Sequence, residues 1–501
     1  MRPKLSAEMV YEGAVQAGVC TRPVVRRLTD TVTGQTQLVP IRCGSTRAAV
    51  CSTCAEKNRK LRVQQCREGW HLTEDPPDTE PGEEKDSPDE NDFPGGVEAE
   101  GDEAPDTSSR RRRSTRRRDD APDLPRLPVA STTLGRAFTD QAGKTWRPSM
   151  FVTLTLPSYG KVRQDGTPVD PGTYDYRRAG LDALHLPKLF DRFIQNLRRA
   201  MGYKVQYFAV LEPQRRLAPH LHVAIRGTVP RKLLRQVVAA TYASIWWPAH
   251  DRPIYSTGHA PVWDETAGGY VDPDTGTPLP TWGQALDQLD ADETASPAHV
   301  ARFGKQSDMQ GLIAGSDTCN RRVGYLTKYL TKQITDPLDA DDEARNTPAR
   351  DAHINRLHDE VRTLPCSPEC GNWLAYGIQP KDAGKGMAPG QCTNKGHDRE
   401  HLGCGGRRVL VSRKWTGKTL SDHRADRPSA VLDELHAAGD DDTEDAERNS
   451  ASVLRDDGKP RYQWEPVDPD DMPTYLSVIA ASVAERTRWR TQYEKARDGT
   501  A

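Results

Sequence analysis

His220 and His222 stand two residues apart in the apolar run Ala218-Pro-His-Leu-His-Val-Ala-Ile-Arg-Gly227. Strand side chains alternate between faces, so both imidazoles point the same way if this run is a strand. Glu212 ends a second strand-like run, Tyr207-Phe-Ala-Val-Leu-Glu212. If residues 213–219 turn the chain back as a hairpin, two imidazoles and one carboxylate converge as ligands for a divalent cation. Gln214 is a competing neutral oxygen ligand. Each group also has a plainer use: histidines on a strand serve packing, and a glutamate can mark a strand end facing solvent.

Downstream lies the repeat Tyr325-Leu-Thr-Lys328-Tyr329-Leu-Thr-Lys332. Its tyrosines are four apart and share one face of a helix, and Lys328 and Lys332 each follow a tyrosine by three positions. The tyrosines and leucines could equally form the buried stripe of that helix. Tyrosine has an unperturbed pKa of about 10 and is a weak nucleophile near neutrality. A nearby ammonium favours the phenolate, and a divalent cation polarises a phosphate and offsets charge in the transition state. Together these parts suit attack by tyrosine on a phosphodiester, leaving a 5′-phosphotyrosine and a free 3′-hydroxyl without ATP.

The elements that must position these groups follow from periodicity. Residues 150–156 (Met-Phe-Val-Thr-Leu-Thr-Leu) read as a strand, and residues 129–138 have strand character. Residues 184–201 are an amphipathic helix with Leu186, Leu189, Phe190, Phe193, Ile194 and Leu197 on one face. Strands at 205–212 and 220–226 follow, then a second helix over 230–247 opened by a proline. Residues 248–306 read as an insertion with a hairpin around 272–276. The tyrosine helix spans 316–334, a further helix spans 348–364 behind Thr347 as cap, and a last helix spans 472–497. At the start, a helix over 5–18, a hairpin over 24–41 and a basic helix over 55–65 are expected.

Ten cysteines in a 501-residue chain without a signal-peptide core argue for metal sites rather than disulfides. Cys20, Cys43, Cys51 and Cys54 surround the hairpin and suit a tetrahedral zinc ribbon, with Cys66 as a spare or a substitute for Cys20. Cys366, Cys370, Cys392 and His397, with His401 and Cys404 close by, form a second zinc-type cluster. The net charge of −2 averages segregated blocks. Residues 73–109 are acidic and almost free of apolar groups, the composition of a disordered linker. Arginines at 110–113 and 116–118 follow, either pairing loosely with those acids or serving as a phosphate-binding arm. No apolar run approaches the roughly 18–20 residues that span a membrane, which predicts a soluble, cytoplasmic protein. Gly417-Lys418-Thr419 is no P-loop, because Ser412 stands where the first glycine is required.

Phe151-Val-Thr-Leu-Thr155, His220-Leu-His222 and the Tyr325–Lys332 repeat resemble, in that order, the three motifs of the HUH endonuclease superfamily. Glu212-Pro-Gln-Arg-Arg, the cysteine clusters and Gly406-Arg-Arg-Val-Leu-Val-Ser-Arg-Lys-Trp415 look like the RepSA-like replication initiators of actinomycete rolling-circle plasmids and integrative elements. The resemblance implies a sequence-specific nick at a double-strand origin with Mg²⁺ or Mn²⁺ held by His220, His222 and Glu212. It also implies an α+β core: a central antiparallel sheet with helices on one face, joined to small zinc-binding modules and disordered linkers. The expected organisation is a zinc-ribbon-like module (1–72), a linker (73–127), the endonuclease core (128–340), a second zinc-binding and basic module (341–436), and an acidic mobile segment with a terminal helix (437–501). Arg407, Arg408, Arg413 and Lys414 are the expected DNA contacts, and Zn²⁺ the structural metal. No helicase motif occurs, so a host helicase and polymerase are expected partners. A transposase or relaxase of the same superfamily is the neighbouring reading, but relaxases usually carry the tyrosine before the histidines. A non-catalytic zinc-dependent DNA-binding protein is the alternative of another class.

Overall fold

A computed structural model describes residues 6–70, 72, 74–76, 118, 120–135, 137–139, 141, 143, 145–256, 258–313, 316–328, 330–331, 347–405, 408–420, 422–424, 455 and 457–499. Nearly all of the acidic linker, most of the arginine run, Tyr329, Lys332, Arg407 and most of 437–460 lie outside the described residues. The described residues divide into two compact units: those of Met1–Glu68, Thr327–Lys332 and Lys418–Ala501, and those of Gly69–Leu326 and Gln333–Gly417. Elements are numbered in chain order. Both units combine helices with antiparallel sheets, an α+β fold.

In the first unit, helix α1 (Ala7–Gln16) starts at Ser6, whose hydroxyl accepts from the Met9 amide at 3.2 Å. Strands β1 (Val24–Asp30) and β2 (Thr36–Ile41) form the expected hairpin. Gly34 takes a left-handed φ of 72° in its turn. Helix α2 (Ser52–Trp70) is longer at both ends than its basic stretch suggested. A strand that the sequence reading lacks, β14 (Tyr462–Pro466), pairs antiparallel with β1 and sets Trp464 opposite Leu28. The pairing is tied by Arg461 to Asp30 at 2.9 Å. The last helix, α9 (Tyr475–Gly499), packs on α1 through Ile479, Ala14 and Val19.

The second unit is built on a five-stranded antiparallel sheet. β5 (Pro148–Thr155), β6 (Tyr207–Pro213), β7 (Pro219–Arg226), β12 (Ser307–Ile313) and β13 (Val409–Val411) run in the order β12-β5-β7-β6-β13. Small antiparallel pairs join β3 (Phe138–Thr139) to β4 (Thr145–Trp146) and β9 (Val262–Asp264) to β10 (Gly269–Val271). Alternation decides the faces of the large sheet. Met150, Val152, Leu154, Ala209, Leu211, Leu221, Val223 and Ile225 join one core with helix α4 (Leu186–Met201). That helix contributes Leu186, Leu189, Phe190, Phe193, Ile194 and Leu197, the stripe its spacing predicts, and ends at Gly202 in a left-handed conformation of φ 72°. Helices α3 (Tyr176–Leu184), α5 (Arg231–Ala240) and α8 (Pro348–Thr363) add to this core. Thr347 caps α8 as expected, accepting from the Arg350 amide.

Three further elements differ from the sequence reading. The helix expected over 230–247 stops at Ala240, where the Thr241 hydroxyl donates to the Val237 carbonyl at 2.6 Å and the backbone turns extended. Residues from Tyr242 form strand β8 (Tyr242–Ile245), which pairs with β11 (His299–Arg302) of the insertion. Tyrosine and isoleucine fit a pleated surface better than a helix once a partner strand is present. Among the described residues of 129–138 only Phe138 lies in a strand, β3. The backbone ahead of it is held instead by the Ala130 amide on Gly202 and by the Thr133 amide on Asp75 at 2.9 Å. The tyrosine helix is shorter than 316–334: α7 (Asp317–Thr327) ends before Tyr329. Past its end, in the first unit, the Thr331 carbonyl is taken by the Ala48 amide. The insertion also holds helix α6 (Trp282–Ala291), opened by a capping box of Thr281 and Gln284, and a tight turn at Asp272 and Gly276. Among the described residues no helix is long and apolar enough to cross a membrane.

Because Phe193 is fully buried at the centre of this core, Phe193→Ala is expected to destabilise the second unit by about 3–5 kcal/mol. Urea unfolding of the full chain checks this, with the loss appearing in the midpoint of the transition.

Candidate metal centre and its tyrosine

The pairing register assembles the site. In the β6–β7 pair, Glu212 stands directly opposite His220 and Val210 opposite His222. In the β5–β7 pair, Thr153 stands opposite His222 and Thr155 opposite His220. Opposed residues share a face, so Glu212, His220, His222 and Thr153 gather on the face away from α4. The two imidazole Nε2 atoms lie 2.8 Å apart, and Glu212 Oε2 lies 2.9 Å from His222 Nε2 and 3.7 Å from His220 Nε2. The second ring nitrogen of His222, Nδ1, is hydrogen-bonded to Thr153 Oγ1 at 3.0 Å, which fixes the ring with Nε2 towards the carboxylate.

Electrostatics suit a cation. Burial opposes ionisation of Glu212, but hydrogen bonds from His220 and His222 outweigh it and hold the carboxyl at about 2. Burial lowers the pKa of His222, which favours the neutral, ligating imidazole. The three donor atoms lie within 4.8 Å of one another, so two imidazole nitrogens and one carboxylate oxygen face a single point. This donor set fits a divalent cation.

Helix α7 brings Tyr325 to the same point. Its hydroxyl is 3.5 Å from His222 Nε2, and its ring meets that imidazole edge-on at 5.1 Å between centroids. Phe151 of β5 backs both, stacked on His222 at 5.6 Å and edge-on to Tyr325 at 6.2 Å. Tyr325 remains 38% exposed. Leu326, by contrast, is buried, as expected for the inner stripe of the helix.

Other expected residues are placed differently. Gln214 Oε1 accepts from Arg216 Nε at 2.6 Å in the turn between β6 and β7. Lys328 is exposed just past the end of α7, and Tyr329 and Lys332 lie outside the described residues. Arg408 is half-buried and its Nε donates to the Leu211 carbonyl at 3.4 Å, beside the β13–β6 pairing. Arg413 is exposed and Lys414 half-buried in the turn after β13, where the Lys414 carbonyl accepts from Arg226 at 3.3 Å. Arg407 lies outside the described residues.

The cysteine clusters assemble as the spacing predicts. Cys20, Cys43, Cys51 and Cys54 bring their sulfurs within 4.8 Å of one another, and Cys66 is not in the group. Cys51 and Cys20 Sγ are 3.9 Å apart, near the ~3.8 Å edge of a tetrahedron with zinc–sulfur bonds of about 2.3 Å. The amides of Arg22 and Cys43 both donate to Cys20 Sγ at 3.4 Å. Burial pushes the Cys51 thiol up, but hydrogen bonds from Thr21 and the Cys54 amide outweigh it and hold it at about 5. In the second unit Cys366, Cys370, Cys392 and His397 converge equally closely, without His401 or Cys404. Nδ1 of His397 bonds to the Val361 carbonyl at 2.7 Å, which leaves Nε2 facing Cys370 Sγ at 3.6 Å. Both groups can chelate a metal.

Residues 6–485 match a family described as Replication initiator protein, pSAM2 (RepSA). The chain belongs to the RepSA family. A replication initiator protein of Streptomyces ambofaciens is 29% identical over 246 residues, 42% of this chain. The match spans 46% of that relative's length. No solved structure matches.

In this RepSA-family chain, sequence reasoning missed two groups at the site. Thr153 sits inside the quoted Phe151–Thr155 run, and only the register with β7 reveals its bond to His222. Arg322 precedes Tyr325 by three residues, a helical spacing that puts both on one face. Its guanidinium lies 5.1 Å from the Phe151 ring and 5.9 Å from the Tyr325 ring.

Two outcomes are expected. Elemental analysis of protein purified without added metal should find one zinc in each cysteine cluster, and loss of zinc from the first cluster alone on Cys51→Ser. Thr153→Val keeps the shape of the side chain but removes the bond to His222, and should weaken Mn²⁺ binding by about 10- to 100-fold in a calorimetric titration.

Proposed function

We propose that this chain initiates replication of a rolling-circle plasmid or integrative element by nicking one DNA strand at its origin. The observation that carries the reading is the meeting of the Tyr325 hydroxyl with His220, His222 and Glu212 at one point of the sheet. Two histidines on the central strand of a five-stranded antiparallel sheet, with a tyrosine helix alongside, support an HUH-type endonuclease. The position of Tyr325 after the histidines supports an initiator over a relaxase.

His220, His222 and Glu212 would hold Mg²⁺ or Mn²⁺, which when bound polarises the scissile phosphate. The phenolic oxygen of Tyr325 attacks phosphorus as its proton passes to solvent. The new bond joins that oxygen to the 5′-phosphate, and the bond from phosphorus to the 3′-oxygen breaks. The 3′-oxygen takes up a proton and becomes the primer for a host polymerase, with a host helicase to unwind the duplex. One phosphodiester is exchanged for another, so no nucleotide is consumed. Tyr329, four residues on in the same Tyr-x-x-Lys unit, is the second nucleophile of this reading, with Lys328 and Lys332 favouring the phenolates. Arg407, Arg408, Arg413 and Lys414 contact phosphates of the origin, and zinc stabilises the two cysteine-bearing modules.

The test uses the full chain, Mn²⁺ and a single-stranded oligonucleotide covering the origin of its own replicon. Covalent adduct is expected with the wild type and lost with EDTA or with His220→Ala plus His222→Ala. If both tyrosines act, Tyr325→Phe keeps some cleavage and Tyr325→Phe with Tyr329→Phe keeps none. An adduct that persists in the double phenylalanine variant would falsify the assignment.

A further inference from the structure

We infer that Arg322 is a catalytic residue of the nicking site, its guanidinium binding a non-bridging oxygen of the scissile phosphate while Tyr325 attacks. This rests on the reading of Tyr325 as nucleophile. The placement comes from three elements. On α7, Arg322 lies one turn before Tyr325 on the same face. On β12, Gln310 stands directly opposite Phe151, so both reach the face that carries His222. Gln310 Oε1 accepts from Arg322 Nε at 2.9 Å and also from an Nη2 hydrogen. The Phe151 ring supports the guanidinium at 5.1 Å.

The nature of these partners matters more than their number. Gln310 anchors the fork through a neutral amide and Phe151 through a ring face, so neither cancels the positive charge. Among the described residues no carboxylate pairs with Arg322. Glu212 is engaged by the two histidines, and Asp308, two residues from Gln310 on the same face of β12, accepts from the Met309 amide. An arginine that only strapped α7 to the sheet would need no such neutral seat. An uncompensated guanidinium 5.9 Å from the Tyr325 ring suits an anion that arrives with the substrate. In the transition state the phosphoryl group gains negative charge, and a donor already oriented stabilises it without reorganisation.

Single-turnover adduct formation by the full chain, with the origin oligonucleotide and saturating Mn²⁺, tests this in the wild type, Arg322→Lys and Arg322→Ala. The expected result is a fall of about 100-fold in rate for Arg322→Ala, a smaller fall for Arg322→Lys, and unchanged oligonucleotide affinity and melting temperature. Added guanidinium ion should restore part of the Arg322→Ala rate, which a purely structural strap would not allow. A wild-type rate in Arg322→Ala overturns the inference. So does a loss that neither lysine nor guanidinium relieves, which would make Arg322 a packing residue of α7. If the wild type itself forms no adduct while binding Mn²⁺ and oligonucleotide, the reading of the site fails and Arg322 fails with it. That pattern is distinct from an active wild type with an indifferent Arg322.

Discussion

The antiparallel register of β6, β7 and β5 governs the candidate site. It sets Glu212 against His220 and His222 against Thr153, and a slip of one residue would turn all of them to the other face. Two features hold the register. The opposite face is a continuous apolar surface against α4, so slippage would expose Leu221, Val223 and Ile225 and bury the histidines. The turn between β6 and β7 is closed by the Gln214 amide on the Ala218 carbonyl and takes Leu217 into a left-handed φ of 63°, which leaves little freedom in loop length. The polar cluster is therefore positioned by apolar packing on the far side of the same strands.

Charge is distributed unevenly around this point. One ionised carboxylate, two imidazoles and one guanidinium on a neutral seat leave a surface short of negative charge, in a chain whose overall balance is slightly acidic. The acids are concentrated elsewhere, in residues 73–109 and 437–447. Net charge accordingly said little about an anionic partner, whereas the local set around Tyr325 says a good deal.

The cysteine clusters address a different problem. Among the described residues of the first unit, two apolar clusters are small, Ala14, Val19 and Ile479 in one and Val25, Val467 and Val478 in another. Modules with small apolar clusters commonly rely on a metal or covalent staple. Four sulfurs between hairpin and helix supply the ligands for one, and the second cluster does the same beside Trp373 and Trp282. The family match over residues 6–485 takes in both clusters and the histidine site together.

Spacing alone determined the groups whose members are close in the chain: the His220–His222 pair, both cysteine clusters, the buried stripe of α4 and the Thr347 cap of α8. These depend on helical and strand periods and on turn chemistry, which act over a few residues. Tertiary structure decided what depends on partners distant in sequence. Residues from Tyr242 became a strand because β11 was there to pair with it, although their apolar spacing continued the helix. β14 formed on a strand more than 400 residues earlier, which no local pattern announces. Gln214 turned to Arg216, and Thr153 and Arg322 entered the site only through register and helix docking. The reason is physical: a side chain's face is set by its own element, but what that face meets is set by hydrogen bonding and packing between elements brought together only in the folded chain.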